Sequence, residues 1–312
     1  MRVGQVSDID IRLLRVFRAV VECGGFSAAE IELNISRAAI SLSMANLESR
    51  LGVCLCKRGR SGFALTVAGQ SIYDASLQLF AAIGNFRTQV NSATTQLRGE
   101  LNIGITDNLV TSPHMRMTEA LKILRAKGPD IQVNVHMTTP SSVARGVFDG
   151  HFHIGAIPTT HRVNGLDYRP LYAEESQLYC SHEHPLFGVE DESSILERLP
   201  LCDAVTIAQS QEPEVIKYSK KLKVMATSSD REGVAFLILS GEYIGYLPSH
   251  YAQRWVDAER MRALCPEHYR YCTQLSVITR PDQAGNLLLD HYLQALESIA
   301  PSVLATVNYL VT

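Results

Sequence analysis

The sequence predicts an α/β protein with a small all-α unit at its N-terminal end, one long helix after it and two α/β subdomains. Three observations support this prediction. Amphipathic segments and polar turns fill the first 66 residues, no proline occurs from residue 67 to residue 97, and strand-like and helix-like segments alternate from residue 98 onward. A chain of 312 residues is also long enough for one small and two medium-sized cores.

The composition is that of a globular protein, and its charges are unevenly distributed. Hydrophobic residues make up 46% of the chain and charged residues 20%, which excludes a disordered protein. The first ten residues contain no signal-like apolar run and no later stretch has about 18 uncharged apolar residues, so a cytoplasmic protein is expected. The net charge is −3, yet residues 34–66 carry five basic residues and one acidic residue. This basic segment favours contact with nucleic acid.

The first two helices are predicted from periodicity and capping residues. Apolar residues recur at helical spacing over residues 10–23, and Asp8 or Asp10 is expected to cap this helix. Ser27 and Glu30 have the spacing of a capping box, which predicts a short second helix beginning at Ser27.

A third helix completes a helix-turn-helix pattern. Asn34 suits a left-handed turn, Ser36 suits an N-cap, and Gly52 is expected to end the helix. Two short helices joined by about three residues, the second with small and polar side chains on one face, are typical of a DNA-binding head. The candidate DNA contacts on these helices are Ser27, Ser36, Arg37, Ala38 and Ser41, with Ser43 and Arg50 on the same predicted face.

Two short apolar runs around a glycine-rich basic turn predict a hairpin wing after the third helix. Lys57, Arg58 and Arg60 lie in this hairpin and are expected to bind phosphates rather than read bases. The alternative for Lys57 is that it faces solvent or the long helix that follows. Arg37 is the candidate for a bidentate contact to a guanine edge, and the alternative is that it is a solvated surface arginine.

A long helix is predicted from residue 67 to about residue 97, capped by Thr66. At 1.5 Å per residue it would span about 45 Å. Such a helix needs an apolar partner, and the same helix of a second chain is the simplest one. The predicted stripe consists of Ile72, Ala75, Leu79, Ile83, Phe86 and Val90.

The remainder of the chain alternates between strand and helix patterns. Strands are expected near 101–105 and 131–137, and helices near 113–126 and 141–149. The same rhythm returns later, and two α/β subdomains explain it better than one long sheet. The later segments are strands near 178–181, 203–208, 222–226 and 243–247 and a helix near 231–239.

Many residues at fixed spacings resemble the LysR-type transcriptional regulators. In the N-terminal part these are Phe26-Ser27, Leu33, Ser36, Ser41, Leu47-Glu48, Leu51-Gly52, Leu55, Arg58, Leu65-Thr66 and Ala68-Gly69. Further along they are Arg98-Gly99-Glu100-Leu101, Val147-Phe148-Asp149-Gly150, His184-Pro185-Leu186 and the stretch from Gly241 to Pro248. Three positions differ from the family's usual residues: Cys56, the pair Arg37-Ala38, and His153.

The resemblance implies a winged helix-turn-helix in residues 1–66, a linker helix that forms dimers in 67–97 and an effector-binding domain in 98–312. That domain would resemble periplasmic solute-binding proteins, with subdomain one in 99–168 and 277–312 and subdomain two in 169–276. The implied function is ligand-responsive regulation of transcription by a dimer or tetramer on double-stranded DNA, with contact to RNA polymerase.

The resemblance also implies a small-molecule site in the cleft between the subdomains, where strands end and helices begin. The side chains suit a polar or anionic effector, and the alternative is that they only cap helices. The candidate effector-binding residues are Thr106, Asp107, Asn108, Thr139, Ser141, Ser228 and Ser229.

Three other interpretations of the sequence are weaker. The pairs His151/His153 and His182/His184 lack a third metal ligand, so neither a metal nor a cofactor is expected. A redox switch would need two neighbouring thiols among Cys180, Cys202, Cys265 and Cys272. An enzyme is not indicated, because the sequence has no recognisable nucleophile motif or cofactor loop. A secreted solute-binding protein would carry a signal in place of residues 1–96.

Overall fold

The computed structural model describes residues 7–59, 62–92, 97–128, 130–159, 162–208, 213–281 and 286–299. The chain divides into two compact units. The first runs to Gly84 and includes Asp149–His151, and the second contains the other residues. Within the described ranges no helix is both long and apolar enough to cross a membrane.

Four helices and one hairpin occupy the first part of the chain. They are α1 (Asp8–Glu22), α2 (Phe26–Leu33), α3 (Arg37–Leu51), β1 (Cys56–Gly59), β2 (Gly62–Leu65) and α4 (Val67–Ser92). The core between α1, α2, α3 and the hairpin is formed by Leu13, Phe17, Val20, Ala29, Ile40, Met44, Leu47, Leu55 and Cys56.

The start of α1 differs from the prediction. Ser7, not Asp8 or Asp10, is the N-cap. Asp10 occupies the reciprocal position of the capping box, and its carboxylate accepts from the Ser7 backbone amide at 2.8 Å. The serine was overlooked because an acidic residue follows it directly.

The predicted cap of α2 is also wrong. The helix begins at Phe26, after Gly25 with φ 152°, so Ser27 lies inside its first turn. Glu30 does not return to Ser27; its carboxylate accepts the backbone amide of Arg37 at 3.1 Å. Packing of Phe26 against Phe63, with ring centroids 6.1 Å apart, accompanies this earlier start.

The predicted boundaries of α3 are confirmed. Asn34 adopts φ 51° in the left-handed region, and Gly52 ends the helix with φ 70°. The Ser36 hydroxyl accepts from the Ala39 amide at 3.3 Å, as expected for an N-cap.

The wing and the cap of the long helix are confirmed. Strands β1 and β2 pair antiparallel, with Cys56 opposite Leu65. Thr66 accepts from the Gly69 amide at 2.8 Å. A Cβ at Gly69 would lie 1.9 Å from the Leu55 carbonyl oxygen, so only glycine allows this close approach of α4 to the wing.

In the second unit, the described residues form nine strands of one hydrogen-bonded sheet. They are β3 (Gly99–Ile105), β4 (Ile131–Met137), β5 (Ile154–Pro158), β6 (Asp167–Ser181), β7 (Asp203–Ile207), β8 (Lys223–Ser228), β9 (Ile244–Pro248), β10 (Met261–Ala263) and β11 (Arg270–Thr279). The order is β4-β3-β5-β11-β6-β9-β7-β8, and β10 pairs with β6.

The helices of this unit pack against the sheet. They are α5 (Met117–Lys127), α6 (Pro140–Phe148), α7 (Glu192–Arg198), α8 (Pro213–Ser219), α9 (Arg231–Leu239), α10 (Ser249–Val256) and α11 (Leu287–Ser298). Short 3-10 turns cover Leu109–Thr111 and Leu199–Leu201.

The sheet has two parallel halves joined by two long antiparallel strands. Parallel pairing links β4, β3 and β5 on one side and β8, β7 and β9 on the other. Between them, β6 and β11 pair antiparallel over most of their length. We call β3–β5 with their helices the first subdomain and β7–β9 with theirs the second. Two α/β subdomains were expected. The structure has two such halves, and their strands belong to one sheet because β6 and β11 link them by hydrogen bonds.

The length of β6 was not predicted, since only its last residues, 178–181, have a clear strand pattern. Pro170 lies within it and lacks a backbone donor, which normally argues against a long strand. The pairing with β11 shifts register between Leu275 and Ser276, so Leu171 is skipped next to the proline. A local bulge therefore accommodates the proline.

Candidate functional sites

The first turn of α3 presents polar side chains to solvent. Arg37 and Ala38 are exposed and Ser41 is half-buried, whereas Ile40, Met44 and Leu47 are fully buried on the opposite face. Ser36 is exposed too, although its hydroxyl caps the helix. This face can enter a DNA groove because the core needs none of its side chains.

Arg50, at the other end of α3, is exposed and forms a surface ion pair with α1. Its guanidinium forms an ion pair with Asp10 and donates to the Ser7 hydroxyl at 3.2 Å. The hydrogen bond from Arg50, helped by Ser7, holds the pKa of Asp10 well below its usual range, and the same bond raises the pKa of Arg50. Arg50 therefore joins α3 to α1, and its side chain remains 43% exposed.

The remaining DNA candidates lie on α2 and in the wing. Ser27 is exposed on α2, and Lys57 is exposed on β1. Arg58 lies in β1 with its side chain outside the described residues, and Arg60 lies outside them entirely.

In the second unit, the loop after β3 carries three candidate effector residues. Thr106 is 5% exposed, and Asn108 has φ 53° in the left-handed region. The Asp107 carboxylate accepts the backbone amide of Arg231, the first residue of α9. The end of β3 in the first subdomain therefore meets the start of a helix in the second.

Thr139 and Ser141 follow β4, and their hydroxyls serve the start of α6. The Thr139 hydroxyl oxygen accepts from the Ser142 amide at 3.3 Å and lies 3.2 Å from the Ser141 hydroxyl. Both residues are exposed. Helix capping, the alternative role, accounts for these contacts.

Ser228 and Ser229 precede α9 and support its cap, Asp230. The Asp230 carboxylate accepts from the Gly233 amide at 2.8 Å and from the Ser229 hydroxyl at 2.8 Å. These bonds, that of Gly233 first, lower the pKa of Asp230. The Ser228 hydroxyl accepts the Asp230 amide at 3.4 Å. Asp107 thus lies at the same helix start as Ser228 and Ser229.

A second contact between the subdomains was missed by sequence reasoning. The Thr111 hydroxyl lies 2.8 Å from His250 Nδ1, and His250 Nε2 lies 2.9 Å from the carboxylate of Glu174, which is 5% exposed. His250 lies in the first turn of α10, directly after β9. The rule that led to Thr106 and Ser228, that sites form where parallel strands end, would have identified it.

The residues behind the metal and redox interpretations have structural roles. His153 Nδ1 accepts the Asn102 amide at 2.9 Å, so histidine maintains a contact with β3 here. His184 Nδ1 accepts the Leu186 amide at 3.2 Å. Burial raises the pKa of the Cys180 thiol to about 12 and also raises those of Cys202 and Cys265. Raised thiol pKa values disfavour the thiolate that a redox switch requires.

Two family models match the chain. The model described as the LysR substrate binding domain matches residues 94–300. The model described as the bacterial regulatory helix-turn-helix protein of the lysR family matches residues 11–70.

Relatives and solved structures agree with these models. The chain is 50% identical over 293 residues to the HTH-type transcriptional activator BauR of Pseudomonas aeruginosa, covering 94% of this chain and 96% of that protein. The crystal structure of CbnR, a LysR family transcriptional regulator, has a TM-score of 0.65 at 19% identity and covers 92% of this chain and 98% of CbnR. Full-length CbnR in complex with its target DNA also has a TM-score of 0.65, at 20% identity, with 93% and 99% covered.

Proposed function

Because this chain belongs to the LysR family of DNA-binding transcriptional regulators, we propose that it binds promoter operators through α3 and activates transcription in response to a small molecule. Activation is proposed from the relative that is 50% identical and named a transcriptional activator. Such a protein would act in the cytoplasm, where the DNA is, and would contact RNA polymerase at the promoter.

The exposed first turn of α3 carries the DNA-binding part of this proposal. Arg37 lies there with small neighbours, Ala38 and Ser41, that do not obstruct a close approach. An arginine at this position suits the O6 and N7 acceptors of guanine in the major groove. Ser36 and Ser27 supply hydroxyls that suit phosphate, and the exposed Lys57 of the wing suits the backbone beside the groove.

Dimerisation is proposed through α4. Phe86 is 65% exposed and Val90 is 52% exposed, although both belong to the apolar stripe of this helix. Burying two such side chains against the same helix of a second chain would remove apolar surface from water. A dimer, or a tetramer built from two dimers, would place two recognition helices on paired half-sites.

The effector is proposed to bind between the two subdomains. Polar residues follow β3 and β4 in the first subdomain and β8 and β9 in the second, and the Asp107–Arg231 and Thr111–His250 contacts bring the two sides together. Hydroxyl groups and helix starts of this kind suit a small polar or anionic molecule. Binding would change transcription only if the molecule prefers one of two arrangements of the regulator.

The test is binding of the full-length protein to a duplex spanning its own upstream intergenic region, across a salt series. Wild type should bind more weakly as salt rises. The Arg37→Ala variant should lose about tenfold to a hundredfold in affinity, since one bidentate base contact is worth about 1–3 kcal/mol. The control is Arg198→Ala, which removes the same charge from α7.

Equal losses in the two arginine variants would mean that net charge, not the α3 contact, sets affinity. If no duplex were bound at any salt concentration, the proposed operator recognition would be wrong.

A further inference from the structure

Two of the side-chain contacts between the subdomains start from one short segment. The segment is Asp107–Thr111, between β3 and α5. Asp107 accepts the first amide of α9, and Thr111 lies 2.8 Å from the ring of His250 in the first turn of α10. Five consecutive residues of the first subdomain therefore reach the starts of two helices of the second.

The backbone of this segment is fixed by its own hydrogen bonds. Asn108 adopts φ 53°, a left-handed conformation that asparagine tolerates well. Its carbonyl accepts from the Thr111 amide at 3.4 Å and from the Thr111 hydroxyl at 3.0 Å. The turn is closed from Asn108 to Thr111, and Asp107 precedes it directly, so we expect a displacement of Thr111 to be transmitted to Asp107.

The bond from Asp107 satisfies an amide that α9 cannot satisfy by itself. The first amides of a helix have no partner within the helix. The helix's own cap, Asp230, takes the Gly233 amide, and Asp107 takes the Arg231 amide. Separating the subdomains would leave the Arg231 amide without this carboxylate, at the positive end of the helix dipole.

The second contact ends on a buried carboxyl group. Glu174 lies on β6 and is 5% exposed, and its carboxylate is 2.9 Å from His250 Nε2. A buried carboxylate needs hydrogen-bond donors, so it favours one position of the imidazole ring. That position brings His250 Nδ1 to the Thr111 hydroxyl. Glu174 thus positions the histidine that Thr111 contacts.

We propose that Asp107–Thr111 is a latch that holds the two subdomains together through the starts of α9 and α10. The inference rests on the proposed function, since it describes regulation of the same cleft. An effector that prefers the separated arrangement of the subdomains would bind against these contacts, so the stability of the latch would lower its apparent affinity. Asp107 is thereby a regulatory residue, not only a candidate ligand contact.

Hydrogen exchange of the full-length protein tests the latch without DNA or effector. The readouts are the Arg231 amide, which reports the Asp107 contact, and the Thr111 and Ser112 amides, which report the segment itself. The variants are Asp107→Asn, Asp107→Ala and the isosteric Thr111→Val. Asp130→Ala is the matched control, because it removes a carboxylate of the first subdomain that pairs with Arg98 on the surface.

A latch predicts reciprocal effects. Thr111→Val should speed exchange at Arg231, which it does not touch, and Asp107→Ala should speed exchange at Thr111 and Ser112. Each change should be roughly tenfold, the loss expected for one hydrogen bond to a charged group. Asp107→Asn keeps an acceptor and should have a smaller effect, and Asp130→Ala should have none at these amides.

The latch would be disproved if Asp107→Ala changed exchange at Arg231 alone and Thr111→Val left Arg231 unchanged, since Asp107 would then merely cap α9. Thermal unfolding of each variant separates this result from a folding defect. Because the measurement needs no operator, failure of the DNA-binding proposal would leave the exchange result interpretable.

Discussion

The helices α3 and α9 begin with the same hydrogen bonds and serve different purposes. Each has a polar N-cap that accepts the third amide of the helix, Ser36 from Ala39 and Asp230 from Gly233. Each also gives its first amide to a carboxylate. For α3 that carboxylate is Glu30, seven residues away, and for α9 it is Asp107, 124 residues away.

The difference lies in what the carboxylate connects. Glu30 fixes the turn between two neighbouring helices and leaves the Arg37 side chain exposed, whereas Asp107 joins two subdomains and the Arg231 residue is 9% exposed. The same local interaction therefore occurs at an exposed helix start in α3 and at a buried one between the subdomains in α9.

The largest expected effect concerns Gly233, the third residue of α9. Ala39 occupies the same position in α3. A Cβ at Gly233 would lie 2.1 Å from the Ser228 hydroxyl oxygen. We expect Gly233→Ala to lower the free energy of unfolding of the second unit by about 2 kcal/mol, because the serine must move. Chemical denaturation measures this value.

The matched variant for that prediction is Gly233→Ala combined with Ser228→Ala. Removing the hydroxyl should recover most of the stability, since alanine is otherwise the better helix former by about 1 kcal/mol. If Gly233→Ala in the wild-type background left the free energy of unfolding unchanged, the start of α9 would have as much room for a Cβ as that of α3.

Removing the two caps should have smaller effects that differ in pH dependence. We expect Ser36→Ala and Asp230→Ala each to cost about 1 kcal/mol at neutral pH. The pKa of Asp230 is lowered by the Gly233 amide and the Ser229 hydroxyl. Its stabilisation is therefore present above its unfolded pKa of about 4 and is lost as the pH falls through the folded value.

Denaturation of the Asp230→Ala variant from pH 7 to pH 2 checks this prediction. Its deficit relative to wild type should shrink below about pH 4, whereas the deficit of Ser36→Ala should not change, since serine does not titrate in this range. A constant deficit in both variants would contradict the charged cap.

A still smaller effect is expected at the other end of α3. Arg50→Ala should remove the bond that lowers the pKa of Asp10, so acid unfolding of the first unit should begin at a higher pH than in wild type. Circular dichroism across an acid titration measures the shift, with Arg37→Ala as the control that leaves it unchanged. Equal acid profiles for the two variants would mean that the Arg50–Asp10 pair does not stabilise the fold.

The smallest effect concerns a hydroxyl that no partner engages. Among the described residues, no hydrogen-bond partner is available to the buried Tyr246 hydroxyl, whereas that of Tyr292 donates to the Met117 carbonyl at 2.9 Å. Tyr246→Phe should therefore change the unfolding free energy by about zero, and Tyr292→Phe should cost about 1 kcal/mol. A large loss in Tyr246→Phe would reveal a partner for this hydroxyl, such as water.

Local signals predicted much of the first unit. Asn34, Ser36, Gly52 and Thr66 have the predicted conformations or caps because each acts on its immediate neighbours in the chain. The cap of α2 was mispredicted because Gly25, two residues before Ser27, is the N-cap, and because Glu30 accepts the amide of Arg37.

The candidate residues of the second unit were predicted by type and place but not by role. Thr139 follows β4 as expected and Ser228 is the last residue of β8, yet their hydrogen bonds serve helix starts. The position of His250 after β9 follows the same rule, but its partners could not be predicted, because Thr111 and Glu174 lie far from it in the chain.

The order of the elements, the basic segment of residues 34–66 and the resemblance to LysR-type regulators can be predicted from the sequence, since they depend on residue type and spacing over a few turns. Which polar groups remain exposed and which are engaged depends on packing between distant parts of the chain. Arg37 and Arg50 lie on one helix, but Asp10 lies close enough to pair with Arg50 alone. Asp107 reaches α9 because β6 and β11 bring the two halves of the sheet together, and no local pattern encodes that distance.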